Sequence, residues 1–275
     1  MTDLWRVLIT PPAHGAWNMA VDESILEHIG RGESRPTLRL YAWEPACLSL
    51  GHAQPFSDVD EPRLMERGWE VVRRPTGGRA ILHTDELTYS IIGPADNPHL
   101  AGSILESYNR LACALLRAVR SLGLDAQSNP LSPEFGGASH GSVNPVCFEV
   151  PSAYEITAAG KKLIGSAQAR RKEGVLQHGS LPLTGDLRRI TEALVFPDEA
   201  ARIEAAQRLL ARATTLEMSL GRVVTWEEAA RAFVDAFKSE LGLGLETGDL
   251  TESESRRTSE LVELKYKHPG WMQRV

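Results

Sequence analysis

Arg73-Arg-Pro-Thr-Gly-Gly-Arg-Ala-Ile-Leu-His83, followed by Glu86-Leu-Thr-Tyr-Ser90, is the stretch from which the rest of the chain is best read. A strand-like run, Trp69 to Arg74, stops sharply at Pro75-Thr-Gly-Gly78, and extended structure resumes at Ala80–His83 and Leu87–Ile92, the latter with period-two alternation. Glycines let the backbone take positive φ and approach a ligand closely, and arginines grip phosphate or carboxylate oxygens. On its own, a glycine pair after a strand is more often a tight turn than a ligand cradle. It lacks the spacing of a Walker loop or a dinucleotide fingerprint.

Upstream, Ala16–Gly30 carries Trp17, Val21, Ile25 and Ile29 at four-residue intervals and ends on glycine, which predicts a helix. Leu38–Trp43 and Cys47–Gly51 read as strands, and Arg63–Glu66 suits a short helix. Downstream, Ser103 and Glu106 form a capping-box pattern ahead of the apolar stripe Ile104, Tyr108, Leu111, Leu115 and Val119. Ser128–Pro145 has Pro, Ser, Gly and Asn without a period and reads as a long loop, a class that in compact domains is usually functional or disordered. Tyr154–Thr157 and Lys162–Arg170 form a hairpin pattern, and Val175–Leu183 is a further strand. Asp198–Ala213, Thr225–Leu241 and Thr251–Tyr266 are helical in pattern. Strands gathered in the first two thirds and helices in the last indicate an α+β fold, a mixed β-sheet flanked by helices with a short helical C-terminal tail.

The 275 residues, 42% hydrophobic and 24% charged, suit an ordinary globular chain with one large core. No apolar run nears the roughly 20 residues needed to cross a bilayer. The first twenty residues lack the basic start and apolar core of an export signal. Three cysteines without a C-x-x-C fit a reduced compartment, so a cytoplasmic location is expected. A net charge of −6 argues against nucleic acid as a partner. The eight histidines show no metal-ligand spacing, and neither a metal nor a cofactor is expected.

A second stretch carries chemistry: Pro145-Val-Cys-Phe-Glu-Val-Pro-Ser152 followed by Gly160-Lys-Lys-Leu-Ile-Gly-Ser-Ala167. A thiol, nearby ammonium groups and a Gly-Ser backbone are components of an acyl-transfer site. Cys147, between Val146 and Phe148, also suits a small buried hydrophobe, and Cys47 and Cys113 keep that reading. Lys162 also suits a solvated hairpin lysine. In a regular strand Lys162, Ile164, Ser166 and Gln168 share one face, opposite Lys161, Leu163 and Gly165, so only one lysine of the pair points at a site.

Taken together, the glycine-turn block, Asn18-Met-Ala-Val-Asp22, Leu48-Ser-Leu-Gly-His-Ala-Gln54, Gly160–Ala167 and Gln177-His-Gly-Ser180 resemble the biotin/lipoate protein ligase superfamily, which includes lipoyl and octanoyl transferases. The resemblance runs from about Trp5 to Leu183, with the blocks in the family's order. It implies a catalytic domain over residues 1–222, a helical extension over 223–275 packed on it, and an acyl channel near the glycine turn. It also implies Arg74, Thr76, Gly77, Gly78, Arg79, His83, Gly165, Ser166 and His178 as substrate-binding residues. Its Gly-Ser register selects Lys162 from the lysine pair.

Within that superfamily, a cysteine fifteen residues before Lys162 and the short C-terminal tail resemble the cysteine-dependent octanoyltransferases of Gram-positive type. That resemblance implies Cys147 and Lys162 as catalytic residues, octanoyl-acyl carrier protein as donor, and a lipoyl-domain protein such as the glycine-cleavage H protein as acceptor. An ATP-dependent lipoate ligase and an amidotransferase moving octanoyl between lipoyl domains are the alternatives.

Overall fold

The alternating run after the glycine turn becomes a central strand. In the computed structural model, which describes residues 4–129 and 155–275, Glu86–Gly93 is buried along its whole length. Leu87, Tyr89 and Ile91 enter the largest apolar core, while Glu86, Thr88 and Ser90 put polar groups on the opposite face. Both faces are covered, so the alternation separates two buried environments rather than core from solvent.

The predicted helices and strands appear, along with strands at 4–9 and 244–247 that the sequence pattern did not indicate. They begin with β1 (Leu4–Ile9), α1 (Gly15–Gly30), β2 (Thr37–Tyr41), β3 (Cys47–Leu50), α2 (Glu61–Arg67), β4 (Glu70–Arg73) and β5 (Ile81–His83). Next come β6 (Glu86–Gly93), α3 (Ile104–Ser121), β7 (Ala126–Asn129), β8 (Glu155–Ala158), β9 (Lys161–Arg171) and β10 (Gly174–Pro182). The last third holds α4 (Glu199–Arg212), α5 (Leu216–Leu220), α6 (Trp226–Glu240), β11 (Gly244–Thr247), α7 (Glu252–Leu261) and α8 (Pro269–Met272). Ser103 and Glu106 make the reciprocal capping box of α3, as Thr251 and Glu254 do for α7.

The main sheet runs β11-β1-β2-β6-β10-β9-β8-β7, and β4-β3-β5 form a smaller one. β11, β1 and β2 pair in parallel; the other neighbours in the main sheet are antiparallel. Helices α3 and α6 cover one face, where Leu111, Leu115, Phe233 and Phe237 pack on Tyr89 and Ile91. Helix α1 covers the other, where Val21, Ile25 and Leu26 pack on Leu8, Ile92 and Leu176.

The C-terminal segment enters the same core. α6 packs on α3, β11 adds a parallel strand to β1, and α7 lies along the outer side of α1, with Glu254 accepting two hydrogen bonds from Arg6. Burial pushes the Glu254 carboxyl up, but hydrogen bonds from Arg6, Ser34 and Thr251 outweigh it and hold its pKa at about 2. α7 covers the outer side of α1, where Ser24 donates to the Glu254 carbonyl, while Asn18 and Asp22 face the sheet; with Glu23 and His28 these polar residues are all buried.

Cys113, read from the sequence as one of the apolar helix residues, is exposed on α3. Ala126–Asn129, where the long loop was expected to begin, is a strand paired with β8. Cys147 and the remainder of that loop lie outside the described residues. Among the described residues no helix is long and apolar enough to cross a membrane.

Candidate active site

The glycine turn connects β4 to β5 and is shaped from within by its own arginines. Arg74 donates to the carbonyls of Gly77 and Arg79 on one side and of Ser49 on the other. Arg73, fully buried, spends its guanidinium on the carbonyls of Gly51, Gln54 and Met272. These arginines shape backbone, so their proximity in sequence reflects a clamp. Gly78 has φ of 95°, and a Cβ on Gly51 would sit 1.9 Å from the Gly78 carbonyl oxygen. Leu48–Gln54 and the turn therefore need glycine at their point of contact. Arg79 is half-buried at the exit of the turn.

Beside the turn is a cavity of about 310 Å³. Met19, Tyr41, Trp43 and Ile81 supply apolar wall on the α1 side, and Ile104 and Tyr108 supply it at the start of α3. Ile104, assigned to the apolar stripe of α3 from sequence, is about half exposed at this end rather than buried in the core. Arg74, Gly77, Gly78, His83, Gly165, Ser166 and His178 all line the cavity; Thr76 lies just behind it. β8 pairs only with the first residues of β9, up to Ile164, and the cavity opens along the part beyond, Gly165–Gln168.

Two buried polar chains support the wall. In the first, His83 Nδ1 lies 2.6 Å from Glu86 Oε1 and Nε2 lies 2.8 Å from Ser49 Oγ, and the ring stacks on Trp43 at 4.0 Å. Glu86 also accepts hydrogen bonds from Ser180 and Thr88. Burial pushes the Glu86 carboxyl up, but His83, Ser180 and Thr88 outweigh it and the pKa falls below its ordinary value. In the second, His178 Nε2 lies 2.6 Å from Thr76 Oγ1 and Nδ1 faces Asp22 Oδ2 at 3.7 Å. His83 has hydrogen-bond partners at both ring nitrogens, and His178 has one at Nε2, with Nδ1 directed at Asp22. Both rings are thus held in the cavity wall by buried side chains behind them.

Lys162 reaches its position by an irregularity that strand alternation does not anticipate. Ile156 pairs with Ile164 and Thr157 with Lys162, so Leu163 is an extra residue, a β-bulge. Leu163 and Ile164 both enter the core beneath α3, together with Ile156 and Ala158. Lys162, opposite Thr157, therefore leaves on the other face. This corrects the expectation that Lys162 shares a face with Ile164, Ser166 and Gln168. Its face is instead that of Gly165 and Ala167, and of their cross-strand partners Ser180 and His178, all four in the cavity wall. Lys162 is buried and is not among the residues lining the cavity, while Lys161 donates to the Leu210 carbonyl.

The motif blocks contained more of the site than was singled out from them. Asp22, Ser49, Glu86 and Ser180 each sit inside a quoted block, and hydrogen-bond partners on other elements give them their place. Met19, Tyr41, Trp43 and Tyr108 read as ordinary core residues, and no local signal distinguishes a cavity wall from a core. Among the described residues no three His, Cys, Asp or Glu side chains converge so as to hold a metal ion.

Residues 14–238 match the family described as the lipoyl protein ligase A/B catalytic domain. The octanoyltransferase LipM of Moorella thermoacetica is 41% identical over 277 residues, covering 99% of this chain and 98% of the relative. That of Kyrpidia tusciae is 40% identical over 268 residues, 97% of each. Among solved structures, the bipartite lipoate protein ligase of Thermoplasma acidophilum superposes with a TM-score of 0.80 at 24% identity, covering 99% of this chain and 97% of its own.

Proposed function

Because the chain belongs to the lipoyl protein ligase A/B catalytic-domain family, we propose that it is an octanoyltransferase, placing an octanoyl group on a lysine of a lipoyl-domain protein. The observation that carries this reading is the 40% and 41% identity with octanoyltransferases over nearly the whole chain. The fold alone serves ligase and transferase equally. A largely apolar cavity beside a glycine turn suits an acyl chain whose reactive end meets backbone amides and a cation.

The route follows from the groups available. The thiolate of Cys147 attacks the thioester carbonyl of octanoyl-acyl carrier protein; the carrier's thiol leaves and takes a proton, and octanoyl remains on Cys147 as a thioester. The acceptor lysine's amine then attacks that thioester, an amide forms, and Cys147 departs as thiolate while the attacking nitrogen loses a proton. The first step exchanges like for like; the second drives transfer forward. Lys162, on the cavity face of β9, stabilises the thiolate and the negative charge on the attacked carbonyl. The acceptor is a lipoyl-domain protein such as the glycine-cleavage H protein.

The test is transfer from octanoyl-acyl carrier protein to a lipoyl domain without ATP, followed by mass spectrometry of the acceptor. Modification is expected. Modification only from free acid plus ATP overturns the reading in favour of a ligase, and modification only from an octanoylated lipoyl domain in favour of an amidotransferase.

Lys162→Ala is expected to lower kcat by about 10²–10³, the usual cost of removing one group that stabilises transition-state charge. Single-turnover acylation measures it, and an unchanged rate removes the lysine from the mechanism. Gly51→Ala pushes the glycine turn away from β3, because its Cβ would meet the Gly78 carbonyl. A displacement near 1 Å costs about 10² in rate, and wild-type kcat/KM for this variant would show that the turn has no part in catalysis.

A further inference from the structure

We propose that His178, oriented by Asp22, is a positioning residue that holds the glycine turn in place through the hydroxyl of Thr76. The inference rests on the octanoyltransferase reading and moves His178 and Thr76 from contact with substrate to support of the loop that contacts it. It also brings in Asp22, which no other part of the mechanism uses.

The chain of contacts starts from a fixed end. Asp22 on α1 is fully buried and accepts hydrogen bonds from Arg39 at 2.7 Å, Ser90 at 2.6 Å and Tyr41 at 3.2 Å. Arg39 donates in turn to Asn18 Oδ1 at 2.7 Å, and Asn18 donates to the carbonyls of Ala13 and Ala42. These bonds tie the carboxylate to α1, β2 and β6, so it has little freedom to move. His178 projects from β10 on the same face, with Nδ1 toward Asp22 Oδ2.

The other end is the turn. Thr76 is 1% exposed and is the residue just before Gly77 and Gly78, which line the cavity. Its hydroxyl lies 2.6 Å from His178 Nε2, linking the small sheet to the main one. Burial pushes the His178 imidazole down more than Asp22 pulls it up, so near neutral pH the ring is uncharged and carries one proton. With that proton on Nδ1, facing the carboxylate, Nε2 is left as an acceptor and Thr76 donates. Arg74 shapes the turn internally, but its contacts there are with Ser49, Gly77 and Arg79, on the small sheet and the turn itself. The Thr76–His178 bond sets where the shaped turn sits over β10.

Thr76→Val keeps the shape and removes the hydroxyl, Thr76→Ser keeps the hydroxyl, and His178→Ala removes the acceptor. Expected are kcat values roughly ten- to a hundredfold below wild type for Thr76→Val and His178→Ala, near wild type for Thr76→Ser, and no further loss in the double variant. If His178→Ala does not fold, His178→Gln, whose amide oxygen can accept, is expected to keep most of the rate. Losses that multiply in the double variant, or full activity in Thr76→Val, overturn the proposal. Amide hydrogen exchange of Gly77 and Gly78 supplies a readout that does not depend on activity. Both should exchange faster in Thr76→Val and His178→Ala, and unchanged exchange in both variants overturns the proposal too. An inactive wild-type protein whose variants still show faster exchange sinks the octanoyltransferase reading and leaves the link standing.

Discussion

Cys147→Ala is expected to form no octanoyl-enzyme and to transfer octanoyl at least about a thousandfold more slowly than wild type, since removing the nucleophile of a comparable two-step acyl transfer costs more than that. The remaining cysteines offer no substitute. Cys47 is fully buried in β3, and burial, with Glu70 and Glu86 nearby, pushes its thiol well above the ordinary value, so it is not a thiolate near neutral pH. Cys113 is exposed on α3 and is not in the cavity wall. An ordinary thiol, with a pKa of about 8.5, is only a few per cent ionised near pH 7, which is why the proposed route needs the ammonium of Lys162 within about 4–6 Å. Intact-mass measurement after mixing with octanoyl-acyl carrier protein decides it. An octanoyl adduct that persists in Cys147→Ala would falsify the covalent route.

Asp22→Ala should cost about 3–5 kcal/mol of folding stability, as expected when one partner of a buried ion pair is removed and the other is left uncompensated. Arg39 and Asp22 are both fully buried and 2.7 Å apart, and Tyr41 and Ser90 also depend on the carboxylate. Burial pushes the Asp22 carboxyl up, but Arg39, His178 and Ser90 pull harder, and its pKa ends below the ordinary 3.8. A carboxyl depressed on folding contributes stability that is complete above its unfolded pKa and is lost as pH falls through the folded one. Wild type should therefore lose this contribution progressively below about pH 4, and Asp22→Ala should show a shallower dependence there. Denaturant unfolding at pH 7 and across the acid range measures both. A loss under about 1 kcal/mol at pH 7 would mean the pair is dispensable.

The two variants test different links. In the proposed route Cys147 carries the chemistry, whereas Asp22 shapes the core and reaches the proposed site through His178 and Thr76. Activity should vanish in the first, and stability should fall in the second.

Lys162 shows how far local reading went and where it stopped. The resemblance of Gly160–Ala167 selected Lys162 from the pair, but alternation put it on the face of Ile164 and Ser166. A single inserted residue, Leu163, reverses that. The bulge is a property of β8 and β9 together, and no residue in Gly160–Ala167 announces it. Arg74 is a second case. The resemblance implied substrate binding at its position before the glycine pair; the residue lines the cavity, and its guanidinium also donates to the carbonyls of Ser49, Gly77 and Arg79. A side chain's place in a motif is local, but what competes for its donors is not.

By itself the sequence determined the class of fold, the hairpin of β8 and β9, the capped start of α3, and the glycine turn, because each depends on propensity, periodicity or a turn residue within a few positions. Only the tertiary structure decided that α1 is buried on nearly every side, that Asp22, His178 and Thr76 form one chain, and that Lys162 shares a face with His178. Those outcomes depend on which distant elements cover a surface and how many residues each strand contributes to a pairing. Burial and register are properties of at least two segments, so reading any one of them alone leaves both undetermined.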